Sequence, residues 1–381
     1  MSLSSMPGVG GSSEDREAKS DSAAKLILSK VLAGLTRTPA VCTPGAGRHR
    51  QDNGLVCYSL LEPVLRKEVG ESRECWRLLK TLAEADAGCG AAIACLIGLA
   101  IGDSVGAPLE FIPVNPGLPD LEGGFYSNAD RPHLLPGLHG GSLKYQREVN
   151  KFHLKPGQWT DDSSMALCLA DSLLVHGVYH GGDARVRWHM WWNHGYCNAF
   201  GHDTDRPAQT SVGLGGNVAK AMDDVEYVAQ GLPNAADVVP SIYGSKSNDA
   251  GNGTIMRLAP VPIAFRLSLP QALEVAILQS RATHPSCDAA ACCCFMTFLI
   301  TQALAAHGTG QSPAKQPQKF IDGAVTGFLS SPEFQSLGAF WTMEGCGRQE
   351  AVDRITSLLT CSAVGSREQH WNWKSLELPI G

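Results

Sequence analysis

The sequence contains few charged residues and no cluster of basic ones. Only 18% of its 381 residues are Asp, Glu, Lys or Arg, against 44% hydrophobic residues, and the formal net charge is −6. Binding of nucleic acid depends on Lys and Arg side chains that neutralise phosphates, so this balance argues against a nucleic-acid partner. The hydrophobic fraction is sufficient for a sizeable buried core, either in one large domain with an extension or in two domains.

Paired cysteine motifs are also missing, although the chain has thirteen cysteines. No Cys-x₂-Cys pair stands beside a second such pair or a pair of histidines, which argues against a zinc site. The count is odd, and Cys292, Cys293 and Cys294 are consecutive, so that they point in different directions on a helix. We therefore expect reduced, buried thiols in an intracellular protein.

Targeting and membrane signals are weak. The N-terminus is rich in Ser, Gly and Ala, but acidic residues between Glu14 and Asp21 spoil both a secretory and an organellar signal. The most apolar stretch, Ala289–Ala306, contains two threonines and a glutamine, which is typical of a helix buried in protein. We expect a cytoplasmic protein that does not bind membranes.

No run of alternating apolar and polar residues is long enough to predict a strand. Apolar residues recur instead at helical spacing. The sequence predicts an all-α fold, a compact orthogonal array of helices with long functional loops. Residues 1–85 are interpreted as a partly disordered N-terminal extension, and residues 86–381 as the main helical domain. Beyond a first helix that Pro108 ends, we predict the helices Met165–Tyr179, Ala184–His194, Val212–Glu226, Pro270–Arg281, Cys287–Ala306 and Lys319–Leu329.

The first polar motif lies at the end of the early helix, in the run Gly102-Asp103-Ser104-Val105-Gly106-Ala107-Pro108-Leu109-Glu110. Pro108 breaks the helix, which leaves Asp103 in its last turn and Glu110 in the loop beyond. An acid at a helix C-terminus is electrostatically unfavourable. Asp103 therefore requires a partner or a metal.

The second motif, Thr160-Asp161-Asp162, directly precedes an apolar segment that runs from Met165 to Tyr179. A hydroxyl and two carboxylates are hard oxygen ligands, which suit Mg²⁺, Mn²⁺ or Ca²⁺. The same residues are also typical of a helix start, where Thr caps the first turn and acids interact favourably with the helix dipole. Both interpretations fit this motif when it is considered alone.

Two further motifs follow. In Gly251-Asn252-Gly253-Thr254-Ile255-Met256-Arg257, two glycines flank Asn252, so the backbone either presents N–H groups to an anion or makes a tight turn before a helix. In Thr283-His284-Pro285-Ser286, the imidazole closes one helix while the next begins. His284 alone is equally typical of a helix cap.

The four motifs, in this order, resemble the ADP-ribosylglycohydrolase family. That resemblance implies an all-α fold, two Mg²⁺ or Mn²⁺ ions, and hydrolysis of the bond between ADP-ribose and a protein side chain or small acceptor. It also implies that Glu110 and Asp161 are catalytic and that Thr160, Asp161 and Asp162 bind metal. The implied substrate-binding residues are Asp103, Gly251, Asn252, Gly253, Met256 and His284.

The sequence departs from the family pattern after His284, where we find no Asp-x-Asp-Thr motif to supply the remaining metal ligands. Asp203-Thr204-Asp205 is a poor substitute because Arg206 follows it and it stands between the second and third motifs. We therefore interpret the chain as C-terminally truncated and expect at most one weakly held ion and very low turnover. The alternative is a non-catalytic member that binds ADP-ribose or serves structurally.

Overall fold

The computed structural model describes residues 38–39, 58–61, 72–107, 151–229, 235–245, 250–307 and 316–336, with isolated positions between 349 and 359. These residues form α-helices and one short antiparallel pair, β1 (Thr38–Pro39) with β2 (Tyr58–Ser59). The helices are α1 (Ser72–Ala85), α2 (Ala87–Gly106), α3 (Asp161–His176), α4 (Gly181–His194), α5 (Gly216–Ala229), α6 (Ala235–Val238), α7 (Pro260–Ala264), α8 (Leu269–Arg281), α9 (Cys287–His307), α10 (Pro317–Ser330) and α11 (Pro332–Ser336). The predicted all-α fold is confirmed.

Local sequence signals account for the helix ends. Asp86 caps α2 by accepting a hydrogen bond from the Cys89 amide at 2.7 Å. Helices α3 and α4 both end on a glycine in the left-handed region, Gly177 with φ 70° and Gly195 with φ 74°. The predicted Met165 start of α3 was four residues late because the polar residues Asp161 to Ser164 already form its first turn. The short helices α6, α7 and α11 have too few residues for a periodic pattern.

The main hydrophobic core lies between α3, α4 and α5. Its largest members are Trp188 and Trp191 of α4, with Met165 and Leu169 of α3, and all four are fully buried. A second cluster joins α8 and α9 to the C-terminal helices through the tilted, closely packed rings of Phe298, Phe328 and Phe334. Helices α8 and α9 contribute residues to both clusters and therefore connect them.

Helix α2 is long and apolar yet mostly uncovered. Ile97 and Ile101 are exposed, and a Cβ built on Gly98 or Gly102 would have no neighbour within 4 Å. Among the described residues, no helix packs closely against the face of α2 that carries Gly98 and Gly102. By length and composition alone, α2 and the segment Cys287–Ala306 of α9 are each long and apolar enough to cross a membrane. Nearly half of the α9 segment, however, is buried inside the protein. The expected absence of membrane binding stays a prediction.

The described cysteines only partly match the expectation of reduced thiols. Cys168, Cys293 and Cys294 are free and buried, and burial, together with the neighbouring Cys293, raises the pKa of the Cys292 thiol to about 11. Cys287, by contrast, is disulfide-bonded. Sequence alone cannot reveal such a bond because it depends on which Cβ atoms lie within about 4 Å of each other.

A buried ionic network fixes the start of the described chain to the core. The Asp171 carboxylate of α3 accepts a 2.5 Å bond from Arg187 of α4, and further bonds from the amides of Leu60 and Leu61 at 2.8 and 3.1 Å and from the Tyr196 hydroxyl. Asp171 and Arg187 are completely buried. The predicted N-terminal extension therefore contributes residues 58–61 to the packing of α3, which composition did not indicate.

The same guanidinium also holds Asp183 through a 2.5 Å bond from its Nε atom. Burial opposes ionisation of the Asp183 carboxyl, but Arg187 outweighs that effect and lowers its pKa. A lowered folded-state pKa stabilises the protein above the unfolded-state pKa. This contribution is lost as the pH falls through the folded-state value.

Replacing Asp171 with asparagine should lower the free energy of unfolding by about 3 kcal/mol, because the buried Arg187 loses one of its two carboxylate partners and keeps only Asp183. Urea unfolding of the full chain measures this change. Asp223→Asn, an exposed substitution on α5, is the matched control and should stay within about 0.5 kcal/mol of the parent. Equal stability of the two variants would show that the network does not hold the fold together.

Candidate active site

The Asp103 carboxylate joins the first two motifs. It accepts hydrogen bonds from the Thr160 amide at 3.0 Å, from the Thr160 hydroxyl at 2.7 Å and from the Ser163 amide at 2.9 Å. The two amides are N–H groups at the start of α3 that have no partner within the helix, and the helix dipole favours a negative charge there. The carboxylate is only 8% exposed, so the bonds are shielded from water. Asp103 therefore has the partner that its place at the end of α2 requires.

The side chain of Thr160 does not cap its own helix. Thr160 is the N-cap residue of α3, but its hydroxyl makes no capping bond there and instead donates to Asp103. The interpretation of Thr160 as a conventional side-chain cap is therefore wrong. The cap comes from a residue 57 positions earlier in the chain, which no local pattern reveals.

The two acids of the second motif differ in exposure. Asp161 is 8% exposed and Asp162 is half-buried, and both lie in the first turn of α3. The Asp161 carboxylate lies directly against the backbone of Gly213, where a Cβ would stand 2.1 Å from Oδ1. Gly213 also has φ +91°, a conformation that glycine adopts without strain.

Gly213 was missed in the sequence, although Gly213-Leu214-Gly215-Gly216 is a visible glycine cluster before α5. The segment that it begins runs to Asn217 in the first turn of α5, and the Asn217 side-chain amide is 3.4 Å from a Cβ built on Gly251. Four residues span at most about 14 Å. This loop therefore brings the start of α3 close to the third motif.

The third and fourth motifs are in direct contact. Asn252–Thr254 forms one turn of 3-10 helix, and Asn252 is exposed while Gly253 is buried. The His284 ring lies against this turn, with Nε2 3.2 Å from a Cβ built on Gly251 and Cε1 3.0 Å from one built on Gly253. A side chain at either glycine would displace the ring. Close packing against His284 therefore favours glycine at both positions, whatever the turn binds.

Some predicted site residues are placed less directly. His284 is only 2% exposed, so it lies behind the turn, and Met256 is half-buried against the main core. Glu110 lies outside the described residues, and its predicted catalytic role stays a prediction. The same holds for the roles given to Asp103, Asp161 and the substrate-binding residues.

The oxygen donors at the start of α3 suit a hard cation in type but are few. Asp161 and Asp162 supply carboxylates, and the Thr160 hydroxyl keeps lone pairs while it donates to Asp103. Within the part of the chain that the structure describes, no group of three or more His, Cys, Asp or Glu side chains could hold a metal. Water would have to complete the coordination of any ion bound by these three residues.

Asp203 and Asp205 do not add to that set. Lys155 binds Asp203 at 2.5 Å and Asp205 at 2.9 Å, and Gln158 donates to Asp203 at 2.8 Å. Hydrogen bonds from Lys155 and Gln158 lower the pKa of the Asp203 carboxyl. The pair fixes the segment that leads into Thr160, which agrees with its rejection as a metal motif.

Substituting Gly213 by alanine should displace the Asp161 carboxylate and lower the free energy of unfolding by about 1–3 kcal/mol, because both the space and the positive φ are lost. Gly215→Ala is the matched control, since a Cβ there meets nothing within 4 Å and its φ is not positive. Thermal unfolding of both variants measures the difference. If the Gly213→Ala protein were as stable as the Gly215→Ala protein, the contact between the Asp161 carboxylate and Gly213 would be looser than the structure shows.

Comparison with known proteins identifies the family of the chain. The ADP-ribosylglycohydrolase family model matches residues 87–371. The chain is 30% identical over 222 residues to an ADP-ribosylarginine hydrolase, Tri1, of Serratia proteamaculans, covering 58% of this chain and 49% of the relative. It is 32% identical over 209 residues to Tri1 of Pseudomonas putida, covering 55% and 45%.

It is also 31% identical over 202 residues to the ADP-ribosyl-[dinitrogen reductase] glycohydrolase of Rhodospirillum rubrum, covering 52% of this chain and 53% of the relative. The chain thus spans about half the length of these curated relatives. A solved ADP-ribosylglycohydrolase-related protein complex is 26% identical, with a TM-score of 0.36, over 71% of this chain and 85% of that chain. The family model covers all four motifs, and the chain belongs to the ADP-ribosylglycohydrolase family.

Proposed function

We propose that this protein hydrolyses the glycosidic bond between ADP-ribose and an arginine side chain. The observation that carries the proposal is the set of bonds from the start of α3 to Asp103, which joins two polar motifs that packing alone would not require. The arginine linkage is inferred from the Tri1 relatives, which are named as ADP-ribosylarginine hydrolases. An ADP-ribosylated protein is the corresponding substrate.

The reaction breaks the bond between ribose C1″ and the guanidine nitrogen and forms a bond between C1″ and a water oxygen. The products are free ADP-ribose and an unmodified arginine, and the water proton moves to the leaving nitrogen. A positive, oxocarbenium-like centre develops at C1″ as the bond breaks. The Asp161 carboxylate, fixed by Gly213, is proposed to stabilise that charge and orient the water, while Glu110 is proposed to transfer the proton.

Substrate binding is assigned to the neighbouring turn. We propose that the backbone N–H groups of Gly251 to Gly253 receive the diphosphate, with Asn252, exposed at the tip of the turn, beside the ribose. Met256 and His284 support this turn from the protein side, since Met256 packs on the core and His284 lies against both glycines. Asp103 acts on the substrate indirectly, through the start of α3.

A divalent cation is part of the proposal. Thr160, Asp161 and Asp162 would hold one Mg²⁺ or Mn²⁺ weakly, with water as the other ligands, because only two of the donors are anionic. When bound, such an ion would polarise the ribose hydroxyls and the attacking water. Asp103 binds the first turn of α3 directly and so holds these three residues in place whether or not a cation is present.

A second candidate function is binding of ADP-ribose without hydrolysis. It is favoured by the small number of metal ligands among the described residues, where no cluster of three acidic, His or Cys side chains is found. Precise positioning of the sugar and the water requires a complete set of ligands, and an incomplete set lowers turnover far more than it lowers affinity.

Release of ADP-ribose from an ADP-ribosylated arginine peptide distinguishes the two. We expect slow release that requires Mg²⁺ or Mn²⁺ and falls on the order of 100-fold in Asp161→Asn, because an amide cannot replace the carboxylate. Asp223→Asn, on an exposed side chain of α5 that has no role in the proposed site, is the control and should leave release unchanged. Liquid chromatography of free ADP-ribose is the measurement.

Two outcomes would contradict the proposal, the first its site and the second its reaction. Release that Asp161→Asn leaves unchanged would mean that the site is wrong. Binding of ADP-ribose with no release at any metal concentration would favour the second candidate.

A further inference from the structure

A buried arginine lies behind the Gly251–Gly253 turn and is not explained by the proposed chemistry. Arg257 is completely buried, and it forms no ion pair with any carboxylate in the described ranges. Its guanidinium stacks 3.7 Å from the centroid of the Trp188 ring. Burial lowers the pKa of Arg257 to about 10, so the group is still a cation at neutral pH. A buried cation must direct its N–H donors to specific acceptors.

Two of the three guanidinium nitrogens, Nε and Nη2, bind the end of α8. Nε donates to the Gln279 side chain at 3.1 Å, and Nη2 donates to the Gln279 carbonyl and to the Thr283 hydroxyl, both at 2.8 Å. Gln279 in turn donates to the carbonyl of Thr254, in the turn itself, at 3.1 Å. The guanidinium therefore ties the turn to the residues that lead into His284.

The Thr283 hydroxyl joins Arg257 to His284. Its oxygen accepts from Arg257 and lies 2.9 Å from Nδ1 of His284, and Thr283 is only 1% exposed. Arginine is only a donor, so the hydroxyl hydrogen is available to Nδ1, which lies within hydrogen-bond distance. A bond in that direction requires an unprotonated Nδ1 and places the single hydrogen of the neutral imidazole on Nε2.

Nε2 is the ring atom that faces the turn. It lies 3.2 Å from a Cβ built on Gly251 and 3.5 Å from one built on Gly253. The ring is thus held on one side by Thr283 and on the other by two glycines. The tautomer decides whether the turn meets an N–H donor or a lone pair, which changes the hydrogen bonds that its backbone can make.

We propose that Arg257 and Thr283 are positioning residues that hold His284 in the Nε2–H tautomer and so fix the Gly251–Gly253 turn. The effect of this relay on ADP-ribose rests on the proposed function, because there the turn holds the diphosphate. The protonation of His284 does not rest on it. The two parts therefore need separate measurements.

Nitrogen NMR of the imidazole rings in the full chain tests the relay without any ligand. The His284 signals are assigned as those lost in His284→Gln. In the parent protein at neutral pH we expect the hydrogen on Nε2 alone. Thr283→Ser keeps a hydroxyl and should preserve this tautomer, whereas the near-isosteric Thr283→Val removes the donor to Nδ1 and should give a mixture of tautomers.

A parent protein with its hydrogen on Nδ1, or on both nitrogens, would overturn the relay. So would a Thr283→Val protein that keeps the pure Nε2–H form. Thr283→Val leaves a donor of Arg257 without its acceptor. If that variant fails to fold, the NMR measurement on the parent protein still tests the relay.

Calorimetric titration with ADP-ribose tests the effect on the turn. Thr283→Val should weaken binding about tenfold and Thr283→Ser by less than about twofold, since only the valine removes the hydroxyl that joins Arg257 to His284 behind the turn. Equal affinity of Thr283→Val and the parent would overturn the link between the relay and the turn. If the parent protein has the predicted tautomer but does not bind ADP-ribose, the proposed function is contradicted and the relay is not.

Discussion

The contact between the Asp103 carboxylate and the first turn of α3 is the constraint on which the rest of the site depends. It places a buried anion at the end of α2 against the positive end of α3, so each helix terminus compensates the other. It also turns the Thr160 hydroxyl away from its own helix. With that turn fixed, Asp161 and Asp162 have defined positions, and Gly213 provides the space that Asp161 needs.

Behind this contact, buried polar groups connect the helices. Arg187 joins α3 to α4 through Asp171 and Asp183, and Arg257 joins the Gly251–Gly253 turn to the end of α8. A buried charge that loses its partner costs more than a lost hydrophobic contact. These networks therefore favour a single arrangement of the helices. The polar motifs lie where that arrangement brings the helix ends together.

Much of this architecture could be predicted from the sequence, because the helices are long and their ends carry strong signals. Pro108 indicated the end of α2, and the start of α8 was predicted to within one residue. The contacts between motifs could not be predicted. Asp103 caps a helix 57 residues away, and the Gly213 loop approaches Asp161 only in the folded chain. Helical periodicity carries no information about such pairs, nor about the disulfide at Cys287.

Amide hydrogen exchange with and without ADP-ribose tests most directly whether the motifs form one binding site. The account predicts slower exchange on addition of ADP-ribose in peptides that cover residues 158–164 and 251–257 together, because the ligand contacts both the start of α3 and the glycine turn. Helix α10 packs in the second hydrophobic cluster, through Phe328 against Phe298 and Phe334, and should exchange at the same rate. Protection confined to other segments, or to only one of these two, would contradict a single site built from the four motifs.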